Sequence, residues 1–280
     1  MLLTLALSSG SMKVGSMPVF ALCAVISYAI NYAVFVPSFL MKTEHYFDLT
    51  GSVTTVTLIV VALASSSEAD TRSIVVAVMV LVWAVRLGSF LFLRAKETGG
   101  DSRFDTIKHH PLSFLSWWSL QALWVLANIA CALTILTTKD EKSFGVFAVI
   151  GTILWVVGFG IEVIADQQKK RFRRTVNTQG EFISTGLWAL SRHPNYFGEI
   201  LLWVGITVIA LPTLSGWRWL ALISPVFVTV LLTRISGIPM LEQRANSRWG
   251  DRQEYRDYVA STPILLPRLP RTRLKQESEK

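Results

Sequence analysis

Long apolar runs recur along the chain and constrain its fold more than any other feature. They lie at about 18–40, 52–64, 73–93, 112–136, 144–164, 197–211 and 217–233. A helix needs about 20 apolar residues to cross a bilayer, so most of these runs are long enough, and the two shortest must tilt or borrow flanking residues. Hydrophobic residues make up 51% of the 280 residues and charged residues only 16%, which is typical of membrane proteins. The sequence therefore predicts an all-α fold, a polytopic membrane bundle of about seven transmembrane helices.

The chain is predicted to form a single membrane domain over residues 1–267. Residues 268–280 are rich in charge and proline, which indicates a disordered basic tail on the cytoplasmic side. The Leu-rich start, Met1 to Leu7, is too short for a cleaved signal and predicts a loosely held leader. Cys23 and Cys131 lie inside apolar runs without a paired spacing, so neither a disulfide framework nor a metal site is indicated.

The distribution of Lys and Arg predicts the orientation in the membrane. If the C-terminus faces the cytoplasm, 21 of the 27 basic residues fall on that side, five fall on the opposite side, and Arg86 lies within a run. Basic residues concentrate on the cytoplasmic side, so an odd number of spans places the N-terminus outside. The expected location is the plasma membrane of a bacterium or the endoplasmic reticulum of a eukaryote. The net charge of +8 follows from this asymmetry, and no nucleic-acid-binding motif is present.

Two acidic residues at the end of the fifth run indicate a polar site near the membrane surface. Glu162 and Asp166 are four residues apart and share one helix face, just before the basic run "QQKKRFRR". Ionisable groups near hydrocarbon usually face a cavity or a partner, which favours a ligand role. The alternative is pairing with Lys169, Lys170 or Arg173, and topology alone would also place the basic run here.

The densest polar stretch is "GLWALSRHPNYFGEILLW". Pro194 is predicted to start a helix, because proline fits the first turn, where its missing N–H has no partner to lose. Arg192 and His193 then lie at the N-terminus of that helix, where backbone N–H groups and the helix dipole favour an anion. Asn195 and Glu199 share one face of the helix. The pattern is typical of a phosphate-binding site; the alternative is an interfacial helix whose polar residues cap neighbours and contact headgroups.

These stretches together resemble a known family. "GFGIEVIADQQKKRFRR", "GLWALSRHPNYFGEILLW", "SGIPMLEQR" and "YRDYVASTPILLP" are similar to the C-terminal domain of the steroid 5-alpha-reductase family, in particular its branch of multispanning bacterial and eukaryotic membrane proteins. The resemblance is specific from about Trp155 to Pro267, weaker at 86–107, and slight in the first two spans. It implies a membrane-embedded, NADPH-dependent reductase that saturates a carbon–carbon double bond conjugated to a carbonyl in a steroid or other lipid.

The resemblance also implies a set of cofactor-binding residues. Its members match polar or phosphate-binding positions of the family, or belong to the Arg-His-Pro-x-Tyr and "LEQR" motifs: Glu162, Asp166, Arg171, Arg173, Arg192, His193, Asn195, Tyr196, Glu199 and Glu242. Among them, Arg173 matches a phosphate-binding arginine, and Asn195 matches an asparagine that holds the cofactor. The Arg-His-Pro-x-Tyr form also occurs in sterol reductases and in isoprenylcysteine carboxyl methyltransferases, so the motif alone leaves the cofactor open.

The substrate half of the family's site is not matched. Hydride addition to such a substrate builds negative charge on the carbonyl oxygen, so a proton donor must lie beside that oxygen. The family uses a Tyr in the third span and a Glu in the second; here Trp83 stands at the Tyr position, and the second run has no acid. Tyr46 and Asp48 are the predicted catalytic replacements. Tyr28 and Tyr32, which share a face of the first helix, are the alternative.

Three functions are compatible with the sequence. The first is NADPH-dependent reduction of a lipid enone, favoured by Asp166 and the adjacent basic run, which suit a ribose and a 2′-phosphate. The second is an S-adenosylmethionine-dependent methyltransferase of a membrane substrate, indicated by "RHPNY" and "LEQR". The third is a lipid-binding membrane protein that retains the fold without catalysis. The expected partners are the lipid bilayer and a lipid or steroid-like small molecule, and no nucleic acid.

Overall fold

The computed structural model describes residues 2–66, 69–98, 104–139, 143–175 and 180–268. By its contacts the chain divides into two compact units: Met1–Trp155 with Trp203–Val228, and Val156–Leu202 with Thr229–Lys280. Helices dominate both units. The described residues contain only two short strands, β1 (Lys13–Val14) and β2 (Met17–Pro18), which pair antiparallel. The all-α fold class is therefore confirmed.

The first unit is a bundle of apolar helices. It contains α1 (Leu2–Leu7), α2 (Val19–Leu40), α3 (Phe47–Ala64), α4 (Thr71–Thr98), α5 (Pro111–Asn128) and α6 (Ala130–Thr137), with part of α7 (Val146–Arg174), part of α8 (Pro194–Ala210) and most of α9 (Ile223–Val230). α2 packs on α3 and α5, and α3 packs on α4. Ser27 donates to the Ala122 carbonyl at 3.0 Å, and Gln121 donates to the Phe47 carbonyl at 2.6 Å. Polar side chains thus bond neighbouring helices inside an apolar bundle.

Aromatic packing fixes the start of α3. The Phe47 ring lies 4.9 Å from that of Phe104 and 5.2 Å from that of Trp118, and all three side chains are buried. Lys108 Nζ bonds the buried Glu44 carboxylate at 3.1 Å. The loop between α2 and α3 is therefore held against the segment that precedes α5.

The second unit contains most of the predicted polar site. It includes the end of α7, a 3-10 turn at Gly186–Ala189, the start of α8, a π-helical turn at Leu231–Ile235, α10 (Ile238–Trp249) and α11 (Gln253–Ser261). Gly186 has a φ of 62°, which glycine adopts without steric cost, and it lies against the side chain of Gln168. Gln168 Oε1 accepts the Leu187 N–H at 3.0 Å, so the turn is fixed on α7.

Glycines let α7 and α8 approach closely. In the second unit, a Cβ added at Gly198 would lie 2.5 Å from the Gly158 carbonyl oxygen and 2.6 Å from the Glu162 nitrogen. In the first unit, a Cβ added at Gly205 would lie 2.6 Å from the Gly151 carbonyl oxygen. Small residues allow such backbone contact between membrane helices, which gain little from burying larger apolar side chains. Within the second unit, this contact places Glu162 against α8.

The described residues contain six helices that are long and apolar enough to cross a membrane. A seventh span results if α5 and α6, which meet at 58°, are counted as one. The six are Val19–Leu40, Phe47–Ala64, Thr71–Leu93, Val146–Arg174, Pro194–Thr213 and Gly216–Trp249. The prediction of a polytopic bundle with about seven transmembrane helices is confirmed.

The predictions for the two chain ends have different outcomes. The loose leader is wrong, because Leu2–Leu7 form α1, which packs on Gly216–Leu222, and Leu7 is buried. The tail at 268–280 lies outside the described residues apart from Arg268, whose N–H donates to the Leu190 carbonyl at 2.9 Å. The single membrane domain over 1–267 stays a prediction.

Candidate functional site

Hydrogen bonds with backbone groups hold the residues just before α8. Ser191 is fully buried; its Oγ donates to the Leu265 carbonyl at 2.8 Å and accepts the His193 N–H at 3.2 Å. The Arg192 N–H donates to the Pro263 carbonyl at 2.9 Å. The segment after α11 therefore fixes the positions of Arg192 and His193.

Glu242 of α10 joins Arg192 and His193. One carboxylate oxygen accepts a hydrogen bond from Arg192 Nη1, and the other lies 2.7 Å from His193 Nε2. None of the three side chains is more than 27% exposed, so the ion pair is largely shielded from water. Loss of one partner of a buried pair costs about 3–5 kcal/mol, because the other charge is left uncompensated. Glu242 thus neutralises Arg192 and orients both side chains.

The imidazole of His193 is neutral and has one unfilled nitrogen. Burial lowers the pKa of His193 below its usual 6.5, although the hydrogen bond to Glu242 opposes part of that shift. Because a carboxylate only accepts hydrogen bonds, Nε2 carries the proton. Nδ1 is buried and has no hydrogen-bond partner among the described residues. The ring stacks on Tyr196 with centroids 5.6 Å apart, so this acceptor has a fixed direction.

Asp166 and Asn195 connect α7 and α8. Asn195 Nδ2 donates to Asp166 Oδ1 at 3.3 Å, and Asp166 is 8% exposed. Glu162, one turn earlier on α7, is buried beside Gly198 of α8. Glu199, one turn after Asn195, is half-buried. The close helix contact therefore brings acidic and amide side chains of two helices together.

A cavity of about 300 Å³ adjoins Arg192, His193 and Glu242 within the second unit. Five cations line it: Lys169, Arg173, Arg192, Arg244 and Arg248. Two carboxylates also line it, and each already bonds an arginine: Glu242 bonds Arg192, and Glu181 bonds Arg252 at 2.7 Å. The cations outnumber the carboxylates, so this cavity, which we call the cationic cavity, favours an anionic ligand.

Aromatic rings form another part of the cationic cavity. Phe182 packs on Tyr255 and Tyr258, with centroids 5.1 and 5.4 Å apart. The Tyr258 hydroxyl donates to the Trp188 carbonyl at 2.7 Å, and burial raises the pKa of Tyr258, so the phenol stays protonated. Lys169 Nζ lies 4.6 Å from the Trp188 ring centroid. Flat rings beside cations accommodate a ligand that combines aromatic and phosphate groups.

A family model matches residues 34–262, and it is described as "Protein of unknown function (DUF1295)". The chain belongs to this family. DUF1295 includes steroid 5-alpha-reductase-like proteins, so the family resemblance seen in the sequence is confirmed.

Curated relatives of this DUF1295 protein match over shorter stretches. The 3-oxo-5-alpha-steroid 4-dehydrogenase 1 of Rattus norvegicus is 25% identical over 160 residues, which cover 53% of this chain and 56% of that protein. Its Mus musculus counterpart is 26% identical over 154 residues, 51% and 54% of the two chains. An uncharacterized protein of Schizosaccharomyces pombe is 31% identical over 108 residues, 30% and 31%. The chain thus spans about half the length of the two steroid dehydrogenases, and no solved structure is significantly similar to it.

The predicted cofactor residues of the DUF1295 protein differ in their position relative to the cationic cavity. Four of the ten line the cationic cavity: Arg173, Arg192, His193 and Glu242. Tyr196 contacts one of these through the stacked His193 ring. The other five lie on α7 or α8 and do not line the cavity: Glu162, Asp166, Arg171, Asn195 and Glu199. Arg171 is exposed at the end of α7. Their roles toward a cofactor stay predictions.

The sequence interpretation included only Glu242 from the part of α10 that lines the cationic cavity. Leu241, Arg244, Ala245 and Arg248 also line it, and their spacing of i, i+3, i+4 and i+7 puts them on one helix face. This spacing is visible in the sequence. That the face lines a cavity becomes clear only from the fold.

The predicted catalytic residues, Tyr46 and Asp48, belong to the first unit. Tyr46 immediately precedes α3, is 45% exposed and lines another cavity, and Asp48 lies in the first turn of α3. The alternative pair, Tyr28 and Tyr32, contact each other on α2 with centroids 5.8 Å apart. A catalytic role for any of these residues stays a prediction.

Proposed function

We propose that this protein is a membrane-embedded, NADPH-dependent reductase of a carbon–carbon double bond conjugated to a carbonyl in a steroid-like or other lipid. The cationic cavity is the observation that carries the proposal. Its five cations, two bonded carboxylates and aromatic rings suit a dinucleotide phosphate. The relationship to steroid dehydrogenases supports the same reaction class.

The residues present fit NADPH. Arg173, Arg244 and Arg248, which line the cationic cavity, are proposed to bind its phosphates. The unfilled Nδ1 of His193 accepts a hydrogen bond from a ligand hydroxyl or amide.

Asp166 and Asn195 are proposed to bind a ribose, with the close contact between α7 and α8 holding the two side chains in register. A carboxylate aimed at a 2′-phosphate would repel it, so Asp166 is assigned to the ribose that lacks this phosphate. The arginines on α7 and α10 then remain for the phosphate groups.

Bound NADPH supplies the hydride for the substrate carbon. The protein must stabilise the negative charge that develops on the carbonyl oxygen and deliver a proton. Tyr46 is proposed to donate that hydrogen bond from its phenol, and Asp48, on the first turn of α3, is proposed to assist the proton transfer. The apolar spans are proposed to hold the lipid substrate and to exclude water from it.

A methyltransferase of a membrane substrate is the second candidate. One observation favours it: Glu242 of "LEQR" bonds both Arg192 and His193, so the two motifs shared with methyltransferases form one network. S-adenosylmethionine carries no phosphate, whereas NADPH carries several. The arginines of the cationic cavity therefore distinguish the two candidates.

Competition binding tests the proposed cofactor. The detergent-solubilised full chain is titrated calorimetrically with NADPH, NADH and S-adenosylmethionine, as wild type and as Arg173→Ala. Loss of a charged hydrogen bond to the 2′-phosphate is expected to weaken NADPH binding about tenfold and to lower the preference over NADH. Arg174→Ala is the matched control, because Arg174 follows on the same helix, is exposed and does not line the cavity. An unchanged NADPH-to-NADH ratio would remove Arg173 from the site, and a wild type that binds only S-adenosylmethionine would overturn the reductase proposal.

A further inference from the structure

A second cavity lies at the ends of three apolar helices of the first unit. Its volume is about 370 Å³, and its lining residues are Met41, Thr43, His45, Tyr46, Phe92 and Lys96. α2 ends at Leu40, α3 begins at Phe47, and the apolar part of α4 ends at Leu93. Because spans begin and end where hydrocarbon meets headgroups, this cavity, which we call the headgroup cleft, lies at that boundary.

The polar side chains of the headgroup cleft offer hydrogen-bond donors. Thr43 Oγ1 accepts the His45 N–H at 3.3 Å and lies 2.8 Å from His45 Nδ1. The contact with Thr43 occupies Nδ1, so Nε2 is the ring nitrogen that remains to face a ligand. Lys96 is exposed and adds an ammonium group with three donors. Together these side chains can surround an anion.

Glu44 and Asp48, the acidic residues next to the Met41–Tyr46 part of the headgroup cleft, do not line it. None of the described residues that line the headgroup cleft is acidic. Glu44, in the same loop, is buried and bonds Lys108 at 3.1 Å. Asp48 follows on the first turn of α3 but does not line the cleft. Among the described lining residues, the charge of Lys96 is therefore not offset by a carboxylate.

The rest of the lining is apolar and suits a lipid rather than a soluble anion. Met41 is 67% exposed at the end of α2, and Phe92 lies on α4 one turn before Lys96. A ligand with an anionic head and an apolar body contacts both kinds of surface. The distribution of Lys and Arg predicts that this end faces the cytoplasm, where anionic lipids are enriched.

We propose that the headgroup cleft binds the phosphate of an anionic phospholipid such as phosphatidylglycerol. Lys96 pairs with the phosphate, His45 Nε2 donates a hydrogen bond to it, and Met41 and Phe92 contact the glycerol and the first acyl carbons. A zwitterionic lipid binds less well, because its own ammonium group competes with Lys96 for the phosphate. The proposed phosphate contacts involve Lys96 and His45 and not Tyr46, so they can be tested separately from the proposed reductase activity.

Native mass spectrometry of the detergent-solubilised full chain tests the proposal. Phosphatidylglycerol and phosphatidylcholine are titrated separately, and soluble glycerol 3-phosphate is added as a competitor. Lys96→Gln is expected to weaken phosphatidylglycerol binding about tenfold, because a charged hydrogen bond is lost. Lys42→Gln is the matched control: it removes a lysine from the adjacent loop that is exposed and does not line the cleft, and it should bind like wild type. His45→Ala is expected to show a smaller loss and supplies an independent variant.

Three outcomes would overturn the proposal. The first is equal affinity for phosphatidylglycerol in wild type, Lys96→Gln and Lys42→Gln. The second is equal affinity of the wild type for phosphatidylcholine, which would indicate an apolar groove without headgroup recognition. The third is displacement of the lipid by glycerol 3-phosphate, which would indicate a soluble phosphate ligand.

Discussion

His193 shows, at the scale of single residues, how neighbouring bonds leave one atom available to a ligand. Nε2 bonds Glu242, the ring stacks on Tyr196, and Nδ1 is buried with no partner among the described residues. An unsatisfied buried acceptor costs about 1–3 kcal/mol, and a ligand donor that reaches it recovers part of this. Nδ1 is therefore a buried acceptor with a fixed direction, on a residue that lines the cationic cavity.

The lowered pKa of His193 predicts a pH dependence of stability. An unfolded histidine takes up a proton near its usual 6.5, whereas burial keeps folded His193 neutral to lower pH. The unfolded state therefore binds more protons between these two pKa values, so stability decreases as the pH is lowered through that window. The contribution is complete above pH 6.5 and is lost as the pH falls through the lower pKa of the folded state.

Thermal unfolding of the solubilised chain, measured from about pH 7.5 down to about 5.5, checks this dependence. The melting temperature should fall below pH 6.5, and His193→Gln should flatten that fall. His109→Gln is the control, because His109 is exposed and should leave the slope unchanged. A wild-type slope in both variants would contradict the neutral, buried state of His193.

Single residues also show the limits of prediction from sequence. The sequence correctly predicts that Arg192 lies at the N-terminus of a helix, because Pro194 marks the start of α8. Its partner was not apparent, since Glu242 lies 50 residues further along the chain and meets Arg192 only through the fold. Arg192 lines the cationic cavity together with Arg173, Arg244 and Arg248, and its role toward a phosphate stays a prediction.

At the scale of helices, the close contact between α7 and α8 holds polar residues of the candidate site together. Gly158 and Gly198 permit the close approach, and Asp166 and Asn195 bond each other near it. A larger side chain at the contact would separate the helices and lengthen that bond. The geometry of the polar residues therefore depends on two glycines that touch no ligand in the proposed function.

Gly198→Ala is expected to destabilise the chain and to weaken NADPH binding together. Its Cβ would lie 2.5 Å from the Gly158 carbonyl oxygen, and overpacking of this kind costs about 1–3 kcal/mol. Gly160→Ala is the matched control, because its Cβ would meet no atom within 4 Å and alanine favours the helix by up to about 1 kcal/mol. Melting temperature and calorimetric NADPH affinity of both variants provide the test. Equal effects of the two substitutions would contradict the role of the contact.

Helices and their order were predictable because the signals are local. The apolar runs identified the spans, and Pro194 identified the start of α8. The cationic cavity was not predictable in full, because α10 and α11 supply much of its lining and their sequences do not show which surfaces they meet. The spacing of Arg244 and Arg248 defines a helix face, but the partner of that face is set by tertiary contacts.

At the scale of the whole molecule, the number of spans determines whether the two chain ends lie on the same side or on opposite sides of the membrane. Counting α5 and α6 as one bent span gives seven, which places the ends on opposite sides of the membrane, whereas six spans place them on the same side. The excess of Lys and Arg predicts a cytoplasmic C-terminus. Arg218, one of the few basic residues on the predicted outer side, bonds the carbonyls of Ser9 and Gly10.

Cysteine labelling in intact cells tests this topology. Ser16→Cys lies before α2 and Asp251→Cys lies after α10, and both positions are exposed. The native Cys23 and Cys131 are buried, so they should not react with a membrane-impermeant maleimide. Labelling from outside is expected at Ser16→Cys and not at Asp251→Cys. Labelling of both positions, or of neither, would contradict seven spans.

The transfer of hydrogen to a lipid tests the proposed reductase most directly. The full chain in lipid vesicles is incubated with a panel of steroid and other lipid enones and NADPH that is deuterated at the transferred position, and a parallel sample receives methyl-labelled S-adenosylmethionine. Mass spectrometry of the extracted lipids should find one of the enones saturated and carrying deuterium, with no methyl label in the parallel sample. A lipid that gains the methyl label while no enone gains deuterium would contradict the reductase and identify the protein as a methyltransferase.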